Sequence, residues 1–159
     1  MMDLATLANL GEAIGGVAVV VSLVYLSFQI RTNTKTVRAS NYIDLVGNAN
    51  EFNSAVIDPA TAAIWVSGLS DYEGLNAEDQ ARFGGVISLL FNAAQRAHHL
   101  HETDLLGDEM WESLAHTVDV LLENEGARQW WEANQHWFPI GFRAFANRKL
   151  ASRIVNAAE

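Results

Sequence analysis

Hydrophobic and polar positions follow two regimes along the chain. Residues 10–30 read LGEAIGGVAVVVSLVYLSFQI, where the one charged residue, Glu12, and the one amide, Gln29, both lie near the ends. As a helix rising about 1.5 Å per residue, this stretch is roughly 31 Å long, close to the thickness of a bilayer's hydrocarbon core. Ser22 and Ser27 can return their hydroxyls to backbone carbonyls inside a helix. The pattern therefore predicts a membrane-spanning helix. A buried central helix of a soluble bundle is the alternative, but such helices rarely stay apolar on every face for six turns. Here Leu10, Ile14, Val17, Val21, Val24 and Phe28 cover the side away from the small residues. A cleaved signal peptide fits less well: MMDLATLAN has no Lys or Arg, and no small-x-small cleavage site follows the apolar run.

After Ile30 the apolar residues adopt helical spacing. Residues 34–53 continue as a polar helix rich in asparagine (41, 48, 50, 53), with Val37, Ile43, Leu45, Val46, Ala49, Phe52 and Val56 as a weak apolar side. Asp58-Pro59 marks a restart, because Asp caps and Pro suits the first helical position. A short helix over 60–69 carries Trp65, and a glycine- and acid-rich loop leads to Asn76. Asn76 followed by Asp79 opens a long helix over 77–103. Its core face is Phe83, Val86, Ile87, Leu90, Phe91, Ala94 and Ala97, and Gly84-Gly85 permits close approach of a neighbour. Gly107 ends that region. Asp108 caps a helix over 108–123 that buries Met110, Trp111, Leu114, Val118, Leu121 and Leu122. Gly126 restarts a short helix with Trp130 and Trp131. Pro139 and Gly141 break the chain before a last helix over 142–157, with Phe142, Phe145, Leu150 and Ile154 as its contacts. No β-hairpin pattern, repeat or low-complexity tract occurs.

The expected fold is all-α. A tail and transmembrane helix occupy 1–33, a juxtamembrane helical connector 34–57, and a cytoplasmic bundle of about five helices 58–159.

Charge sharpens this division. Of the 19 Asp and Glu, 16 fall in residues 44–132 against three Lys and Arg, a local balance of −13. Such an acidic body repels nucleic acid. Arg31, Lys35 and Arg38 follow the apolar run directly, whereas Asp3 and Glu12 precede or open it. The positive-inside rule then places the N-terminus in the periplasm and the main domain in the cytoplasm. Arg31, Lys35 and Arg38, with Glu12 at the other end, are the expected membrane-interface residues. Arg143, Arg148, Lys149 and Arg153 either meet headgroups too or pair with the acidic body.

Small or hydrogen-bonding residues recur at spacings of three and four along the apolar helix: Ala8, Gly11, Gly15, Ala18, Ser22, Tyr25, Gln29, Thr32 and Thr36. That 3.5-residue period keeps them on one stripe of a left-handed supercoil. Gly11 and Gly15 form a G-x-x-x-G pair that lets two backbones approach. Gly11, Gly15, Ala18, Ser22, Tyr25 and Gln29 are therefore the expected helix–helix interface, serving self-association or docking to a larger membrane complex. Glu12, within a turn of the outer end, reads as an interfacial anchor rather than a proton relay.

The segments GEAIGGVAVVVSLVYLSFQIRTNT, HETDLLGDEMW, EGARQWW and GFRAF, in that order, resemble a widespread group of small bacterial proteins of uncharacterised function. The resemblance implies a single-pass N-terminal helix plus a helical domain, and supplies no reaction and no catalytic residues.

Candidate chemistry is sparse. With no cysteine there is no disulfide framework, thiolate zinc site or cysteine nucleophile. His98 and Glu102, Glu112 and His116, and Glu132 and His136 stand four apart, where an imidazole and a carboxylate can share a metal. Di-iron bundles instead use Glu-x-x-His pairs, H-E-x-x-H is missing, and His98, His99 and His101 fan around the helix. No metal, cofactor or catalytic residue is expected, and no G-x-S-x-G or phosphate-binding loop occurs. The aromatics at 130, 131, 137, 138, 142 and 145 read as a small core or a membrane-surface cluster rather than a ligand pocket. The expected function is that of an accessory or scaffold subunit of a membrane assembly (respiratory, photosynthetic or transport-related) or a homo-oligomer. A small oligomeric channel lined by the flank with Glu12 and Gln29, and a membrane-tethered enzyme or ligand-binding domain, are the alternatives.

Overall fold

A computed structural model of the protein describes residues 3–156, the side chains of 4–8, 10, 13, 48, 49 and 153–156 excepted. Expectations for the side chains of Ala8, Leu10, Ala49, Arg153 and Ile154, and for residue 157, lie outside that description. Among the described residues there are six α-helices, one 3₁₀ turn and no strand. They are α1 (Leu4–Ile57), α2 (Pro59–Ser70), α3 (Ala77–Glu102), α4 (Asp108–Leu121), α5 (Glu125–Asn134), the turn Gln135–Trp137, and α6 (Ile140–Asn156). The chain divides into two compact units, Met1–Ser40 and Asn41–Glu159, and α1 contributes to both.

The first unit is helical from Leu4 onward, and α1 is the one helix among the described residues long and apolar enough to cross a membrane. None of its apolar window is buried. The hydroxyls of Ser22 and Ser27 donate to the carbonyls of Ala18 and Leu23, both at 2.8 Å, as expected of polar residues in an apolar helix. Thr34 and Thr36 donate in the same way to Ile30 and Thr32.

In the second unit the helix starts and stops follow local chemistry. The Asp58 carboxylate accepts from the Thr61 amide and hydroxyl at 2.8 and 2.9 Å, and Pro59 is the first helical residue of α2. Those bonds hold the Asp58 carboxyl below its ordinary value of 3.8. Asn76 caps α3 by accepting from the Asp79 amide at 3.0 Å. α3 stops at Glu102, one residue from the expected end: the amides of Asp104 and Leu105 donate to the carbonyls of His101 and Leu100 in a Schellman arrangement. Asp104 takes the left-handed conformation there (φ 56°) that glycine usually fills. Gly107, not Asp108, is the cap position of α4, and Asp108 is its first helical residue, where a carboxylate favours the helix dipole. Gly141 does not break the chain but sits in the first turn of α6, which begins right after Pro139.

The core lies around α3, which packs against α2, α4 and α6, while α2 also packs against α5. Phe83, Val86, Ile87, Phe91, Ala94 and Ala97 are buried on one side of α3, with Leu90 half-buried. Phe91 stacks on both Trp130 and Trp131, at 5.3 and 4.9 Å between ring centres. Trp131 donates its indole N–H to Asn147 Oδ1 at 2.8 Å, so this ring is buried with its polar edge satisfied. A smaller cluster gathers Leu45 of α1, Ala97 and Leu106. Asn41 donates to the Leu105 carbonyl at 3.3 Å beside it.

Helices α2 and α5 cross in backbone contact. A Cβ on Gly126 would lie 1.8 Å from the Gly68 carbonyl oxygen, and one on Gly68 would lie 2.2 Å from the Phe83 ring. Here glycine is needed for space. Nothing lies within 4 Å of a Cβ built on Gly85. The two helical glycines should thus respond oppositely to alanine. Gly85→Ala should raise stability by up to about 1 kcal/mol through helix propensity. Gly126→Ala should lower it by about 1–3 kcal/mol through overpacking. Denaturant unfolding of the two variants measures both signs.

Candidate functional site

Two features stand out: the exposed apolar surface of α1, and the edges of the aromatic core where polar atoms meet solvent.

On α1, ten Val, Leu, Ile and Phe side chains between Ile14 and Ile30 are exposed, Val17 at 65 % and Phe28 at 64 % among them. They cover about two thirds of the helix circumference, and the remaining stripe carries no charge, only Gly15, Ala18, Ser22, Tyr25 and Gln29. Gly11, Gly15, Ala18, Ser22, Tyr25 and Gln29 are exposed along it, and no atom lies within 4 Å of a Cβ built on Gly11 or Gly15. The stripe is thus open to an incoming helix along its length. Glu12 is exposed before the apolar stretch, and Arg31 and Lys35 follow it. At spacings of four and three, Arg31, Lys35 and Arg38 share one side of the helix.

The histidines divide by burial. His98 is mostly buried among Trp111, Phe142 and Phe145, with ring centres 5.4, 5.9 and 5.4 Å away. Its Nδ1 lies 3.5 Å from Glu102 Oε2. Burial pushes the imidazole below its ordinary value of 6.5, while Glu102 opposes that effect. A recess of about 360 Å3 opens beside it, lined by Gln95, His99, Pro139 and Gly141 among others. His101 stacks on Trp111 at 5.2 Å, and its buried Nδ1 has no hydrogen-bond partner; Asp108 Oδ1 is 3.7 Å away. The other spacing-four pairs, Glu112 with His116 and Glu132 with His136, are exposed. Among the described residues no group of three His, Asp or Glu is placed to hold a metal ion.

Of the C-terminal cations, Lys149 pairs with the acidic body: its Nζ lies 2.8 Å from Asp119 Oδ2, joining α6 to α4. It also sits 5.7 Å from the centre of the Phe145 ring.

Sequence reasoning missed a groove along α3. Tyr72, Trp137 and the buried Trp130 line it, with Ala77, Ala81, Gly84, Gly85 and Ser88 of α3 along its floor, in a volume of about 440 Å3. The signal was present, since these small residues recur at helical spacing beside the core face of α3. Gly84 serves a close approach as expected, and the neighbour is Trp130, whose Nε1 lies 3.1 Å from the position of an added Cβ. Trp137, expected in the aromatic cluster, is 69 % exposed at the groove's rim.

No family model, curated protein or solved structure matches the chain. The sequence and geometry alone carry the functional reading.

His98 generates a pH prediction. Its folded-state pKa lies below 6.5, so between the two values the unfolded chain binds more protons and stability falls as pH falls. Thermal unfolding should show a lower midpoint at about pH 5.5 than at about pH 7.5. His98→Phe, which keeps a ring among the aromatics, should shrink that difference; an unchanged difference would assign the pH dependence to other groups.

Proposed function

We propose that the protein is a single-pass component of the bacterial inner membrane. The N-terminal part of α1, up to residue 33, lies in the bilayer, residues 34–57 form a juxtamembrane connector, and the acidic helical body stands in the cytoplasm as an interaction surface. In this reading it acts as an accessory or scaffold subunit of a larger membrane assembly, or of a homo-oligomer, packing through Gly11, Gly15, Ala18, Ser22, Tyr25 and Gln29.

The observation that carries the reading is the run of ten exposed apolar side chains from Ile14 to Ile30. At about 0.3–0.6 kcal/mol each in mid-membrane, they favour insertion by roughly 3–6 kcal/mol, before any help from Ala18 or Tyr25. In water the same surface is an aggregation liability. Backbone groups make no objection, because a helix satisfies its own N–H and C=O groups. Arg31, Lys35 and Arg38 support the orientation, since cations flanking a span are retained on the cytoplasmic side. The small-residue stripe supports packing against another helix, because lipid supplies no hydrophobic drive and close backbone approach matters most.

Membrane fractions washed with alkaline carbonate test the first point. The full-length protein should stay with the membranes and require detergent for release. Val20→Arg, adding about 2.5–3.5 kcal/mol to insertion at mid-helix, should shift a substantial share to the aqueous fraction. Wild-type protein recovered without detergent would end the reading, and a C-terminal alkaline phosphatase fusion active in the periplasm would reverse the orientation. The seam has its own test, native mass spectrometry from mild detergent. Gly15→Leu should reduce the assembly to smaller species, whereas an unaltered mass would remove the stripe from the interface.

A further inference from the structure

Trp130 is 1 % exposed, yet its indole N–H has no acceptor among the described residues. Its neighbour in sequence, Trp131, donates to Asn147, so the two buried rings differ in this one respect. Trp130 Nε1 is also not a sealed atom: among the described residues, the one buried side-chain nitrogen or oxygen left without a partner is His101 Nδ1. An unpartnered atom that is not sealed meets solvent, and Trp130 is among the residues lining the groove along α3. The donor sits over Gly84, at the floor.

The surrounding groups narrow what the groove can hold. Gln80 directs its amide to the carbonyls of Tyr72 and Glu73, Ser88 its hydroxyl to Gly85, and Asn134 its amide to the Trp130 carbonyl. The indole has one N–H and directs it at no protein atom. No charged side chain lines the groove, and the body around it is strongly acidic. An anion would be repelled, and a cation would find no carboxylate within the lining. Gly84 and Gly85 put no side chain into the groove, and Trp137, largely exposed at its rim, offers a ring face, whereas the buried Trp130 offers no ring face. A flat apolar group suits the Trp137 ring, and its carbonyl oxygen suits the Trp130 donor. A docked helix suits it less, because helix carbonyls are already bonded within their own ladder.

We propose that the groove between α3 and Trp137 binds a neutral, ring-bearing carbonyl compound, whose oxygen accepts the Trp130 indole N–H. This goes beyond the membrane reading and stands whether or not α1 enters lipid.

The test uses the full-length, 15N-labelled protein in mild detergent, with acetophenone as the probe. α-Methylstyrene, which keeps the shape but replaces C=O with C=CH2, is the control, and both partition into detergent. Trp130→Phe identifies the Trp130 indole resonance among the five tryptophans. Acetophenone should move that proton downfield in a saturable manner, and α-methylstyrene should not. Gly85→Leu fills the groove from a position where an added Cβ touches nothing. It should weaken the acetophenone response at least tenfold, and Ala81→Leu, on the exposed side of the floor, serves if that variant misfolds. A resonance that stays still up to the probe's solubility overturns the proposal. So does one that responds equally to both probes, or equally well in the filled variants.

Discussion

A helix in water needs one face that prefers water, and residues 14–30 of α1 carry no charged side chain on any face. Its polar side chains there are few, and Ser22 and Ser27 turn their hydroxyls inward onto the backbone. That closes the helix's hydrogen-bond needs within itself and leaves a surface of methyl groups and rings. The composition changes abruptly at Arg31, after which charged, asparagine and threonine residues appear within a few turns. Two stretches of one continuous helix thus differ sharply in hydropathy, and the acidic helical unit follows the polar one.

In the second unit the constraint is close packing of large rings. Phe83, Phe91, Trp130, Trp131 and Phe142 are all fully buried, and such rings fill space only where the backbones around them are thin enough. Gly68, Gly84 and Gly126 provide that thinness, two of them at the contact of α2 with α5. One turn of α5 then secures several neighbours at once. Gly126 lies against Gly68, and Arg128 donates to the Leu122 and Glu123 carbonyls at the end of α4 while pairing with Glu125. Gln129 accepts from the Tyr72 and Glu73 amides and so fixes the loop before α3. The short helix is held by specific bonds where its apolar area is small.

Much of this is legible in the sequence, for identifiable reasons. Helix positions follow from apolar spacing and from Asp58, Pro59 and Asn76, whose capping chemistry is local. The core face of α3 follows from a 3.6-residue period, which burial of one side enforces. The end of α3 near residue 103 was legible, but not its means, because a left-handed residue is expected to be glycine and here it is Asp104. Nor was the role of Gly68 and Gly126, since a contact between helices 58 residues apart leaves no periodic mark. The pairing of Lys149 with Asp119 is of the same kind. The groove fell between these cases. Its small residues are visible on α3, but the indole that gives them chemical meaning arrives from α5.

Polar atoms at the margin of the aromatic core bring these strands together. Trp131, His98, His101 and Trp130 each present nitrogen among rings, and each resolves the conflict differently. Trp131 finds Asn147; His98 loses affinity for its proton, with Glu102 close by; His101 stacks on Trp111 with Nδ1 left unbonded. Trp130, in the lining of the groove, has no acceptor for its N–H among the described residues. A core built for packing alone would accept phenylalanine at such a place, since an unmet donor costs free energy that a C–H does not. An indole kept there, over a glycine that admits it, places a hydrogen-bond donor where solvent or a ligand must complete it. The acidic surface, although far larger, places no comparable demand on any partner, because exposed carboxylates are completed by water.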